Sequence, residues 1–153
     1  MKVGIGNDIH RLKEGRKLIL GGVTIPSDKG EEAFSDGDVL IHAIIDGILG
    51  ACAAGDIGAL FPNTDEKNRN RSSIELLKET LTLTKARIIN IDTIIELERP
   101  KLRPYIDEIR EKLASVIGIE KERISVKAKT AEGLGPVGEG LAIKAYAVLL
   151  IDN

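Results

Sequence analysis

Ile88-Ile89-Asn90-Ile91-Asp92-Thr93-Ile94-Ile95-Glu96-Leu97 decides the fold class. Isoleucine and threonine dominate it, and β-branched side chains, stiff at χ1, suit a strand better than a helix. Downstream, Pro104 stands where a helix can begin, since a first turn tolerates the missing N–H, and the helical pattern runs to about residue 116. Ile124-Ser125-Val126-Lys127-Ala128-Lys129-Thr130 then alternates as a half-buried strand. In residues 141–151, Ile143, Ala145 and Ala147 alternate with Lys144 and Tyr146 before a fully apolar end, which predicts a last strand. Upstream, Ser72 or Ser73 caps a helix over residues 72–86, with Glu75 as capping-box partner of Ser72. Residues 55–71 read as a long loop, and residues 37–54 as a helix capped by Ser35, with Leu40, Ile44, Ile48 and Ala51 on one face. Residues 26–36 form a further loop, residues 17–25 a hairpin turning at Gly21-Gly22, and residues 2–9 a strand. The order β-ββ-α-α-β-α-β-β predicts an α+β domain spanning residues 1–153, a mixed sheet with helices on one face.

With 153 residues the chain has the length of one domain and needs no disulfide to fold. The net charge of −2 argues against nucleic-acid backbones and anionic membranes as partners, and the two Phe and two Tyr, without Trp, leave no base-stacking platform. The single cysteine, Cys52, sits among alanines and reads as core packing. The apolar run 39–49 is interrupted by His42 and Asp46, so no membrane span is expected. Charged residues crowd the first twenty positions, which predicts no secretory leader and a reducing, cytoplasmic setting.

The chemistry concentrates around Asp8-Ile9-His10 and His42, the only two histidines. On a strand, residues two apart point the same way, so Asp8 and His10 converge. With His42 they form a two-histidine, one-carboxylate set, suited to zinc with one open position or to a non-haem iron triad. A plainer reading is a turn device beside a satisfied histidine. Asp38, His42 and Asp46 follow at i, i+4 and i+8, a stripe in which both carboxylates could accept from the histidine's remote N–H. Pro100-Lys101-Leu102-Arg103-Pro104 offers two cations after a strand. Gly133-Leu134-Gly135-Pro136-Val137-Gly138 matches G-x-G-x-x-G in form, but Pro136 and the strand-like run after it replace the helix a dinucleotide site requires.

Gly6-Asn7-Asp8-Ile9-His10-Arg11-Leu12, Ser35-Asp36-Gly37-Asp38-Val39 with His42 and Asp46, and Gly55-Asp56-Ile57-Gly58 recur together with Phe61-Pro62-Asn63-Thr64-Asp65. With Pro100-Lys101-Leu102, and Val126-Lys127-Ala128 ahead of Thr130 and Glu132, this series resembles the 2-C-methyl-D-erythritol 2,4-cyclodiphosphate synthases of the non-mevalonate isoprenoid pathway, along essentially the whole chain.

The resemblance implies a homotrimer with active sites between subunits, a lyase turning 4-diphosphocytidyl-2-C-methyl-D-erythritol 2-phosphate into the cyclic diphosphate and CMP. It implies zinc on Asp8, His10 and His42, and a second ion, magnesium or manganese, on Glu132. It places Asp56, Ile57, Gly58 and the segment Phe61, Pro62, Asn63, Thr64, Asp65 in an erythritol-binding loop, and makes Asp8, His10 and Ser35 substrate-binding as well. Leu97, Pro100, Lys101, Leu102, Arg103, Lys129, Thr130, Ala131 and Glu132 fall around cytidine and diphosphate, with Thr130 steadying the transferring phosphoryl group. Two departures stand out: Phe34 occupies a position where the family usually carries histidine, and the loop Gly135-Pro136-Val137-Gly138-Glu139-Gly140 is shorter and lacks an arginine. They leave room for a ligand-binding trimer of low activity, and the Asp/His/His set alone also admits an iron oxygenase.

Overall fold

The computed structural model describes residues 1–152. Its main sheet has the order β4-β1-β7-β5-β6, formed by β1 (Lys2–Glu14), β4 (Lys29–Glu32), β5 (Arg87–Glu96), β6 (Ile124–Lys129) and β7 (Ala142–Asp152). Only β5 and β6 run parallel; the other neighbours are antiparallel, so the sheet is mixed and the fold α+β, as expected. Strand β1 runs five residues beyond its expected end because it finds partners all along: β7 from Lys2 to Arg11, then β4 from Arg11 to Glu14. The polar segment Lys29-Gly30-Glu31-Glu32, read from sequence as loop, becomes a strand through that pairing. The short hairpin β2 (Leu18–Leu20) and β3 (Val23–Ile25) turns at Gly21 and Gly22, both at positive φ, as a two-residue hairpin demands.

The helices are α1 (Val39–Ala51), α3 (Ser73–Thr84) and α4 (Ile106–Ile117), with single turns α2 (Ile57–Leu60) between α1 and α3 and α5 (Gly135–Gly138) between β6 and β7. The stretch after Gly133 is thus a helical turn before β7, where the sequence suggested a strand-like run. Helix α1 is buried almost throughout, Asp46 half-buried and Gly50 exposed being the exceptions, so Asp38 and His42 of its polar stripe are enclosed by the protein. It lies on β1 at backbone distance: a Cβ on Gly4 would meet the Gly47 carbonyl oxygen at 1.9 Å, and one on Gly6 that of Ala43 at 2.0 Å. Its N-cap is Asp38, not Ser35, and its C-cap is Cys52, half-buried against the core. Ser72 precedes α3 without a side-chain cap bond, so the expected capping box does not form.

Along β5 and β7 the residues Ile91, Thr93, Ile95, Ala145, Ala147, Leu149 and Ile151 are buried. On the opposite side of the sheet, Val3, Ile5 and Ile9 are 69%, 69% and 51% exposed, and Val148, the register partner of Ile5, 45%. Within one chain this apolar face is uncovered. No helix among the described residues is long and apolar enough to cross a membrane.

Candidate functional site

Because α1 rests on β1 through glycine, His42 reaches the strand pair Asp8 and His10. Asp8 Oδ2 lies 2.8 Å from His10 Nε2 and 3.1 Å from His42 Nδ1, and the two ring nitrogens are 3.3 Å apart. Four donors about 2.05 Å from a zinc ion stand about 3.3 Å from one another, so three corners of such a tetrahedron fit this triangle. The donor set is mixed N/O, as divalent transition metals take it. Asp8 Oδ1 accepts from the Ile9 N–H at 2.8 Å, which turns Oδ2 to the histidines. His10 Nδ1 lies 2.7 Å from the Gly37 carbonyl oxygen; there it donates, leaving Nε2 its lone pair.

Burial pushes the Asp8 carboxyl up, but hydrogen bonds and charge from His10 and His42 outweigh it and hold the group well below the usual carboxylate range. Burial would lower the His10 ring, yet its contacts with Asp8 raise it. Among the described residues, Asp8, His10 and His42 form a group of side chains able to hold a metal ion.

The triad opens into a cavity of about 320 Å³ lined also by Phe34, Ser35, Ile57, Gly58, Phe61 and Asn63. Asp56 caps α2 by accepting from the Ala59 N–H at 2.8 Å, and Asp46 holds the same turn by accepting from the Ile57 N–H at 2.8 Å. Asp65 caps the following turn and pairs with Lys67, and the Pro62 carbonyl accepts from the Asn68 side chain. Of the segment 61–65, Phe61 and Asn63 line the cavity, whereas Pro62, Thr64 and Asp65 are not among its lining residues.

Asp38 and Asp46 do not serve His42 as acceptors. The Asp38 carboxylate is spent on the N–H groups of Gly21, Gly22 and Ile41, and Asp46 on Ile57. His42 Nε2 faces Ser35 Oγ at 3.1 Å and Ser73 Oγ at 3.0 Å instead. Ser73 was invisible as a site residue because it lies on another helix, 31 positions away.

The remaining candidates gather elsewhere. Leu97, Pro100, Lys101, Leu102, Arg103, Lys129 and Thr130 line a second cavity of about 390 Å³ at the end of β6. Just beyond, the Ala131 N–H donates to Glu98, and the Thr130 hydroxyl to Glu132 at 2.7 Å. Asp8, Ala145, Ile95 and Ala128 form one row across the sheet. Three strand spacings therefore separate the triad from the Thr130 end, about 14 Å. One chain carries both groups of residues but does not bring them together.

The YgbB family profile matches residues 1–152. A 2-C-methyl-D-erythritol 2,4-cyclodiphosphate synthase of Treponema denticola is 51% identical over 99% of this chain and 96% of its own length. A solved cyclodiphosphate synthase in a form bound to CDP superposes with a TM-score of 0.91 at 39% identity, covering 99% of this chain and 100% of that one. The bifunctional IspDF of Campylobacter jejuni superposes with a TM-score of 0.92 at 38% identity over 97% of this chain, which spans 41% of that longer protein. With its profile, its close relatives and its fold in agreement, the chain belongs to the YgbB family.

Proposed function

We propose that the whole chain, residues 1–153, acts as one catalytic unit, a lyase that cyclises 4-diphosphocytidyl-2-C-methyl-D-erythritol 2-phosphate and releases CMP. The observation that carries this reading is the Asp8–His10–His42 triangle, opening beside Ile57, Gly58 and Phe61 in a chain 51% identical to a protein of that name. An oxygen of the substrate's 2-phosphate forms the new bond to the β-phosphorus; the bond from that phosphorus to the oxygen bridging to the α-phosphate breaks, and CMP leaves with that oxygen. The protein need supply no covalent nucleophile, so its task is positioning and neutralisation of charge.

Asp8, His10 and His42 would hold zinc, and Glu132 magnesium or manganese shared with the diphosphate. Bound there, the metals supply Lewis-acid neutralisation of phosphate charge. In the second cavity Lys101 and Arg103 are cations for the diphosphate, Leu97, Leu102 and Pro100 enclose the cytosine, and the Thr130 hydroxyl, which donates to Glu132 in this structure, turns to a phosphate oxygen once Glu132 holds its ion. Around the first, Asp8, His10, Ser35 and Asp56 are the polar partners of the erythritol unit, with Ile57, Gly58 and residues 61–65 as its loop. The two groups belong to one site when supplied by neighbouring subunits of a homotrimer, and the exposed Val3, Ile5, Ile9 and Val148 suit burial between subunits. The setting is the cytoplasm.

Phosphorus NMR of the purified protein with zinc, magnesium and the diphosphocytidyl substrate tests the activity, with cyclic diphosphate and CMP expected to appear in equal amounts. His42→Ala is expected to remove most bound zinc, and turnover with it. Nucleotide binding without product would point to the ligand-binding reading; wild-type zinc affinity in His42→Ala would remove the metal assignment.

A further inference from the structure

We propose that Ser73, held by Asp36, is a positioning residue that fixes His42 in the tautomer whose Nδ1 lone pair faces Asp8 and His10. This rests on the reading of those three residues as a metal site. Ser73 Oγ lies 3.0 Å from His42 Nε2. The Ser73 hydroxyl donates to Asp36 Oδ1, and the Ser73 backbone N–H donates to Asp36 Oδ2 at 2.9 Å. A serine hydroxyl has one hydrogen. With that hydrogen committed to a carboxylate, Oγ turns only lone pairs to the imidazole, so Nε2 must carry the ring proton. In the neutral ring Nδ1 is then the bare nitrogen, and Nδ1 is the atom 3.1 Å from Asp8 Oδ2 and 3.3 Å from His10 Nε2.

Ser35 cannot make this choice. Its Oγ, 3.1 Å from His42 Nε2, accepts from the Gly37 N–H at 3.2 Å but keeps its own hydrogen free, so it can meet either tautomer. Ser73 is fully buried. The two histidines are thus set by different devices: His10 through the Gly37 carbonyl, a fixed acceptor, and His42 through a hydroxyl made into an acceptor by Asp36. Carboxylate or carbonyl partners behind metal-bound histidines typically govern affinity by about 10–100-fold.

The test is zinc affinity by chelator competition, with cobalt(II) absorption as a second readout, on wild type and three variants. Ser73→Ala is expected to bind zinc about 10–100-fold more weakly. Asp36→Asn is expected to weaken it in the same direction, because an amide N–H₂ can turn to Ser73 Oγ and free its hydroxyl to donate to His42; it also serves if Ser73→Ala does not fold. Thr80→Val removes a buried hydroxyl in the same helix, one that bonds only the Leu76 carbonyl. It is expected to lower the melting temperature and leave zinc affinity unchanged. Unchanged affinity in a folded Ser73 or Asp36 variant, or an equal loss in Thr80→Val, overturns the proposal while leaving the metal reading intact. Failure of the wild type to bind zinc or cobalt would overturn the metal reading itself.

Discussion

Asp38 is wholly buried where α1 begins, and its oxygens accept from Gly21 at 3.0 Å, Gly22 at 2.7 Å and Ile41 at 3.1 Å. Burial pushes its carboxyl from 3.8 up to about 6, against the pull of those N–H groups, and burial beside Asp38 raises buried Glu31 as well. Between pH 3.8 and about 6 the folded chain therefore holds a proton at Asp38 that the unfolded chain has released. The stability from that proton is full below pH 3.8 and is lost as pH rises through about 6, a span worth ~3 kcal/mol. Asp38→Asn cannot titrate, and its amide N–H₂ would face N–H donors. In metal-free protein, the gap in unfolding free energy between wild type and Asp38→Asn should widen as pH falls from 7 to 4. A gap of constant size in denaturant titrations at those pH values would contradict this origin. The sequence placed Asp38 on the right helix but gave it the wrong partner. Spacing reports which residues share a helix face; two of the three donors that claim this carboxylate come from a hairpin 16 and 17 positions away.

The contact of α1 with β1 carries the triad, and it depends on Gly4 and Gly6. A Cβ on Gly6 meets the Ala43 carbonyl oxygen at 2.0 Å and the Gly47 nitrogen at 2.7 Å, both backbone atoms that no rotamer change can move. Gly6→Ala must push α1 away from the sheet and carry His42 away from Asp8. The expected cost is ~3 kcal/mol or more, at or above the upper end for an overpacked core, with zinc affinity falling alongside. A control is Gly50→Ala, whose Cβ meets only the Ile5 carbonyl oxygen, at 3.8 Å; it should leave both quantities near wild type. Equal zinc affinity in Gly6→Ala and wild type would show that the triad does not need this approach. Here too the strands were legible and the contact was not. Alternation marked β6 and β7, and β-branched density marked β5. Strand β4, by contrast, has no apolar pattern and exists through pairing with β1, and Gly4 and Gly6 carry no periodic signal of the helix they admit. The start of α1 was misplaced for a related reason: Ser35, Asp36 and Asp38 are all plausible caps, and only the tertiary contacts of Ser35 with His42 and of Asp36 with Ser73 leave Asp38 as the cap.

Across the molecule, the series of motifs that the sequence presents as one site folds into two cavities. The triad's cavity lies toward the β1 side, and the one with Lys101, Leu102 and Thr130 lies beside β6. Residue order cannot reveal this, because strand order in the sheet, and not position in the chain, sets the separation. If each site joins the triad of one subunit to the second cavity of its neighbour, two inactive variants should repair one another. Asp8→Ala lacks a metal donor but keeps the second cavity; Lys101→Ala combined with Thr130→Ala keeps the triad but loses a cation and a hydroxyl. In trimers assembled at random from equal amounts, a site is whole when its triad comes from the second variant and its other half from the first. The chance is one half for each, so about a quarter of the sites are whole and about a quarter of wild-type turnover returns, where each variant alone gives nearly none. Coexpression, or mixing after reversible unfolding, supplies the mixed trimers, and CMP release measures them. Recovery near a quarter, scaling with the product of the two mole fractions, fits a shared site. Mixed trimers no more active than their parents would place both halves of the reaction within a single chain, and the separation of about 14 Å between the triad and the Thr130 end would then have to close by movement inside it.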